Sequence, residues 1–214
     1  MTVMFKNRST AGQQLALKLD KYANRSDVLV LALPRGGVPV GFEIAKKLNV
    51  CLDICLVRKL GVPKQKELAM GAIAPGEVIT LNQDIVQELN ITSEAIATVV
   101  ELEKIELARR EKKYRGSRSL PQIKDQTIIL VDDGIATGAT IRAAIATLKE
   151  KQPASIIVSI PIGQQDICEA INNEVDEVIC LRQPTKLRSI SLWYEDFTQT
   201  TDEEVCHLLA HFSK

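Results

Sequence analysis

The hydrophobic pattern of the chain is a series of short apolar runs separated by stretches of helical periodicity. Residues 28–33, 52–57, 127–131, 155–160 and 175–181 are dominated by apolar and β-branched side chains. Runs of this kind do not alternate, so they suit strands buried on both faces, as in a parallel sheet. Between them, 42–48, 139–148 and 164–172 read as helices; the second is rich in Ala and carries Ile141, Ile145 and Leu148 on one face. Strands alternating with helices imply right-handed crossovers and a doubly wound, mostly parallel five-stranded α/β sheet.

Four further segments attach to that frame. A first helix is capped by Ser9 or Thr10, with Leu15, Leu19 and Tyr22 on one face. Residues 70–81 alternate around Pro75-Gly76 and read as a small antiparallel ribbon. The stretch 82–116 is a helical insertion: a short helix, then a long one capped by Thr92 or Ser93 and stopped at Gly116. In the long helix Glu106 precedes Arg110 and Glu111 precedes Arg115 in the favourable order, while Ile96, Val99, Leu102 and Ile105 need a partner, either the core or a second subunit. The segment 182–214 is irregular at first and then helical, with Thr201 and Glu204 forming a capping box for a helix reaching Phe212. The 214 residues therefore read as one domain with an insertion and a C-terminal extension.

Two strand ends carry chemistry. After 127–131 comes Asp132-Asp133-Gly134-Ile135-Ala136-Thr137-Gly138, and Ala139 and Thr140 then open a helix. The backbone N–H groups of Thr137, Gly138, Ala139 and Thr140 suit a phosphate, since they point outward with the helix dipole behind them. Two carboxylates repel that anion but accept bonds from two sugar hydroxyls. One loop can thus hold a diol and a phosphate. After 28–33 comes Pro34-Arg35-Gly36-Gly37, a backbone anion nest beside a guanidinium. Residues 58–72 are the most basic short segment, with Arg58, Lys59, Lys64 and Lys66, and Gly61 and Pro63 keep it from being helical; it reads as a mobile flap over a polyanion.

The sequence VDDGIATGAT resembles the motif with which type I phosphoribosyltransferases bind phosphoribosyl pyrophosphate (PRPP). PRGG resembles their pyrophosphate loop, and VRK their flexible loop. The resemblance implies transfer of a 5-phosphoribosyl group from PRPP to a nitrogen base with release of pyrophosphate, through a transition state like an oxocarbenium ion. It implies that Asp132 and Asp133 hold the ribose 2′- and 3′-hydroxyls. Thr137, Gly138, Ala139 and Thr140 then hold the 5′-phosphate in a loop that Gly134 and Ala136 complete. Arg35, Gly36 and Gly37 take the pyrophosphate, with a cis peptide expected at Arg35–Gly36 or Gly36–Gly37, and Arg58 and Lys59 close over it. Mg2+ arrives with PRPP rather than in a protein cage. Trp193, after the fifth strand, is the candidate platform for the base. The 6-oxopurine enzymes of the family place an Asp directly before Thr-Gly; Ala136 stands there, so the loop looks more like the adenine or orotate type at that point, which lowers a 6-oxopurine assignment and leaves the acceptor base open. Glu67 is the nearby acid–base candidate. The family is commonly homodimeric.

The totals narrow the alternatives. Lys plus Arg equals Asp plus Glu at 27 each, which argues against a general nucleic-acid binder. No apolar run reaches the length of a membrane span and the first residues lack a signal-peptide core, so a cytoplasmic protein is expected. Cys51, Cys55, Cys168, Cys180 and Cys206 are scattered and read as reduced thiols. His207 and His211 lie one helical turn apart without further ligands and read as exposed. A P-loop is absent, and a phospho-acceptor receiver needs a Lys that VICLRQP does not supply. The remaining rival is a sensor that binds PRPP or a nucleotide without catalysis.

Overall fold

The computed structural model describes residues 4–63, 65–116 and 118–212. The expected flap residue Lys64, and the side chains of Lys66 and Glu67, lie outside the described residues. In chain order the first elements are α1 (Arg8–Ala16), β1 (Val28–Ala32), α2 (Gly37–Leu48), β2 (Cys51–Ile54), β3 (Arg58–Val62), β4 (Gln65–Ala74) and β5 (Val78–Leu81). They are followed by α3 (Gln83–Glu88), α4 (Ser93–Arg115), β6 (Thr127–Val131), α5 (Ala139–Lys149), β7 (Ser155–Ile162), α6 (Gln165–Asn172), β8 (Glu177–Arg182) and α7 (Asp202–Ala210). The chain forms two compact units: one from the described residues of Met1–Cys55, Pro121–Gly138 and Gln152–Lys214, the other from Leu56–Leu120 and Ala139–Lys151.

The first unit is built on a five-stranded parallel sheet in the order β2-β1-β6-β7-β8. Every residue of β1 and of β6 is buried, which is why neither strand alternates in sequence. From β1 the chain winds outward to β2, and from β6 it winds the other way through β7 to β8; the direction of winding therefore reverses between β1 and β6. These two strands pair level, from Val28 with Thr127 to Ala32 with Val131, so their carboxyl ends open side by side. In a doubly wound sheet that crevice is where ligands bind.

The first helix is capped by Asn7 rather than by Ser9 or Thr10: the Asn7 Oδ1 accepts the Thr10 N–H at 2.9 Å. It stops at Ala16, and Leu15, Leu19 and Tyr22 are buried together through a following 3-10 turn, Asp20–Tyr22. The last helix has the expected cap, with Thr201 Oγ1 accepting the Glu204 N–H at 3.1 Å. Replacing Thr201 by Ala should cost about 1 kcal/mol and lower the melting temperature by about 2–4 °C, which a thermal melt will show.

In the second unit β3, β4 and β5 form an antiparallel sheet. Residues 58–62 are therefore a strand and not the irregular flap that Gly61 and Pro63 suggested. Arg58 pairs with Ile73, Lys59 with Ala72 and Leu60 with Gly71; Leu60 and Val62 are buried, and Gly61 only breaks the register. The long helix α4 begins after the Thr92 cap and ends at Gly116 as its sequence indicates. Its buried positions are Val100, Leu107, Tyr114 and Arg115, the first three spaced by seven, which face a narrow seam on the sheet. Leu102 and Ile105 point outward, 65% and 71% exposed. Glu106 takes both Arg109 and Arg110, which hold its carboxyl down to about 2. No helix among the described residues is long and apolar enough to cross a membrane.

Candidate functional site

The site is assembled where β1 and β6 end. The Leu33 N–H donates to Val131 O at 2.8 Å, carrying the ladder one residue beyond β1. The chain then turns through Pro34 and Arg35. The cis peptide is Pro34–Arg35, one bond before the two positions expected from the family resemblance. Those two positions already belong to the helix start: Gly36 is right-handed helical and caps α2, and the Gly37 N–H donates to Leu33 O at 3.0 Å. Arg35 reaches toward Asp202 of α7, with 3.7 Å between charged atoms.

The glycines are required by what lies against them. A Cβ on Gly37 would sit 2.7 Å from Val131 O and 2.9 Å from the Asp132 Cα. One on Gly36 would overlap the Asp133 carboxylate. The PRGG turn and the acid pair are therefore in direct contact, two sequence motifs packed into one surface.

The acids are held differently. Asp132 Oδ1 accepts the Asp133 N–H at 2.8 Å. Asp133 Oδ2 accepts from Arg8 Nε at 2.8 Å, and the Asp133 carbonyl accepts the Tyr194 hydroxyl at 2.7 Å. Burial, and next the Asp133 charge, push the Asp132 carboxyl well above the usual carboxylate range. Burial also raises Asp133, with Arg8 pulling against it. The Tyr194 phenol is raised by burial and by the Asp133 charge, so it stays a donor.

Beyond the acids, the loop is tied to β7. The Ile135 N–H donates to Ile162 O at 2.8 Å, and Ile135 bridges to Gly163. Gly134 rests against Ile162 and Ile190. Ala136 and Thr137 are exposed. Gly138 has φ +76°, a left-handed angle that favours glycine, and lies against Ile167 and Ile171 of α6. Ala139 and Thr140 begin α5, whose first turn carries no acid to compete with a phosphate.

Arg58 and Lys59 belong to the second unit. Arg58 Nε pairs with Glu103 Oε2 of α4 at 2.6 Å, so the helical insertion holds the arginine that the resemblance marks. Trp193 closes a 3-10 turn, Ile190–Trp193; its carbonyl accepts the Phe5 N–H at 2.8 Å and its ring packs partly buried on Phe5, Ala11, Ile162 and Tyr194. His207 and His211 are exposed and stack edge to face, 5.0 Å between centroids.

Sequence reasoning missed Arg8, and it gave Tyr194 no part in holding the acids. Neither has a local signal: Arg8 is 125 residues from Asp133 along the chain, and Tyr194 is 61.

Comparison with known proteins places these features in a family. A model of the phosphoribosyl transferase domain matches residues 5–185. Rv0571c of Mycobacterium tuberculosis, a protein provisionally named a phosphoribosyl transferase, is 42% identical over 206 residues, 96% of this chain and 46% of its own. The chain thus spans about half the length of the curated relatives it matches. TT1426 from Thermus thermophilus superposes with a TM-score of 0.91 at 31% identity, over 99% of this chain and 100% of its own. AQ2163 from Aquifex aeolicus, at 12% identity and a TM-score of 0.51 over 82% of this chain and 74% of its own, shares the fold.

Proposed function

Since the chain belongs to the phosphoribosyltransferase family, we propose that it transfers the 5-phosphoribosyl group from PRPP to a nitrogen base and releases pyrophosphate. The observation that carries this reading is the contact between PRGG and the acid pair at the point where the sheet reverses its winding. The crevice there offers diol acceptors and an anion nest, and the loop runs on in sequence to the N–H groups of a helix start.

In this reading Asp132 and Asp133 accept the ribose hydroxyls, and their negative field favours positive charge on the sugar as the bond to pyrophosphate lengthens. Thr137, Gly138, Ala139 and Thr140 take the 5′-phosphate. Arg35, Gly36 and Gly37 take the diphosphate, and the family resemblance adds Arg58 and Lys59 to it. The turn carrying Trp193 is anchored beside the acids through Ile190 on Gly134, which supports Trp193 as the base-side residue.

Asp132 and Asp133 together have four carboxylate oxygens, two of which already accept from protein donors, whereas magnesium takes about six ligands. The rest of its shell would have to come from diphosphate, ribose and water, and a magnesium ion bound with the substrate would help neutralise the leaving group.

The test is to incubate the protein with labelled PRPP, magnesium and a panel of bases and follow pyrophosphate release. Turnover with one base supports transfer and names the acceptor. Tight PRPP binding without turnover on any base would instead make the protein a sensor, and no binding would overturn the site.

A further inference from the structure

The residue that the acid pair leans on is outside every motif. Arg8, in the first turn of α1, makes an ion pair with Asp133 in which the two side chains are only 11% and 15% exposed. Its own geometry is fixed twice more: Nη1 donates to Thr198 O at 2.7 Å, and the guanidinium lies 3.8 Å from the centroid of the Phe197 ring. Phe197 in turn stacks on Tyr194, 4.9 Å between centroids, and the Tyr194 hydroxyl holds the Asp133 carbonyl. Asp133 is thereby gripped at its carboxylate from α1 and at its backbone from the segment before α7.

Two adjacent half-buried carboxylates repel each other, and one left without a counter-ion turns toward water or takes a proton. A planar guanidinium on one oxygen opposes both, and leaves the other oxygen aimed by default. We propose that Arg8 is a positioning residue of the sugar site: by holding Asp133 Oδ2 it presents the remaining carboxylate oxygen to a ribose hydroxyl, and it acts through Asp133 without touching the sugar. This rests on the reading of Asp132 and Asp133 as the ribose-binding pair. The rival role is direct contact with ligand, since Arg8 also borders a polar cleft of about 220 Å³ together with Asn7, Ser9, Thr198 and Glu204.

Titration calorimetry of the full chain with PRPP and magnesium separates these roles. Arg8→Ala should weaken PRPP about 10- to 100-fold, the size of a hydrogen bond to a charged group. Arg8→Lys, which keeps the charge but loses the fork and the stacking, should recover part of that loss and covers the case in which the Ala variant does not fold. The deciding measurement is a double-mutant cycle with Asp133→Asn. If Arg8 acts through Asp133, Arg8→Lys and Arg8→Ala cost little further affinity in the Asp133→Asn background. Equal losses in both backgrounds would overturn the proposal in favour of direct ligand contact, and unchanged affinity in the single variants would overturn it outright. A wild-type chain that does not bind PRPP would sink the functional reading beneath it, a result distinct from either.

Discussion

Asp132→Asn will lose PRPP binding and turnover and at the same time melt at a higher temperature than the wild type. The loss follows from the proposed role. An amide oxygen accepts a ribose hydroxyl more weakly than a carboxylate, and the negative field that favours an oxocarbenium-like sugar is halved; a fall of about 10²–10³ in turnover is the scale for one such electrostatic group. The gain follows from burial. The Asp132 carboxyl is pushed well above its ordinary range by desolvation and by Asp133. A carboxylate whose folded pKa lies above its unfolded one binds its proton more tightly when folded. Stability is therefore greatest where it is protonated and falls as pH rises from the ordinary carboxylate range through the raised value. At neutral pH the wild type bears that cost and the variant does not. Asn keeps an oxygen for the Asp133 N–H that Asp132 now accepts. Each kcal/mol relieved raises the melting temperature by about 2–4 °C. Melts between pH 4 and pH 8 should show a decline for the wild type that the variant lacks; an unstable variant, or an active one, would contradict the assignment.

The second large effect is at the paired glycines, and it should split between them. Gly37→Ala places a methyl group against Val131 O and the Asp132 Cα, both on the main chain of β6 and its continuation. Main chain gives way only by shifting the strand end, so a loss of about 1–3 kcal/mol in a denaturant titration is expected, along with binding. Gly36→Ala meets the Asp133 side chain instead. A side chain can rotate aside, so stability should fall less, but rotation breaks the Arg8 pair and PRPP affinity should fall at least tenfold. Equal stability losses for both variants would show that the turn and the acids do not meet as described.

The contrast between what could and could not be read from the chain has a physical basis. β1 and β6 were legible because strands covered on both faces are continuous apolar runs, a local property. The acid pair and the Thr-Gly helix start were legible for the same reason, since a loop between a strand and a helix carries its own chemistry in order. Residues 58–62 misled because Gly61 and Pro63 are honest local breakers, yet the pairing of Leu60 with Gly71 and the burial of Leu60 and Val62 outweigh them. Asn7 took the cap from Ser9 and Thr10, neighbours that differ by a turn of register too fine for pattern to settle. Arg8 could not be read at all. Its partners are Asp133, Phe197 and Thr198, and no window of sequence contains them together.

The grip on Asp133 also has a consequence in time. Phe5 is held between the Trp193 carbonyl and the Glu195 N–H, and Asp196 bonds back to Lys6, so the start of α1 is seated only when the segment before α7 exists. During synthesis the chain displays both acids and the Thr-Gly helix start while Tyr194, 61 residues later, is still to be made. At roughly 5–20 residues per second that interval lasts roughly 3–12 s. A nascent or truncated chain in that window carries the PRGG turn, both acids and the Thr-Gly loop, yet its acid pair has neither the tyrosine nor the seated arginine that hold it.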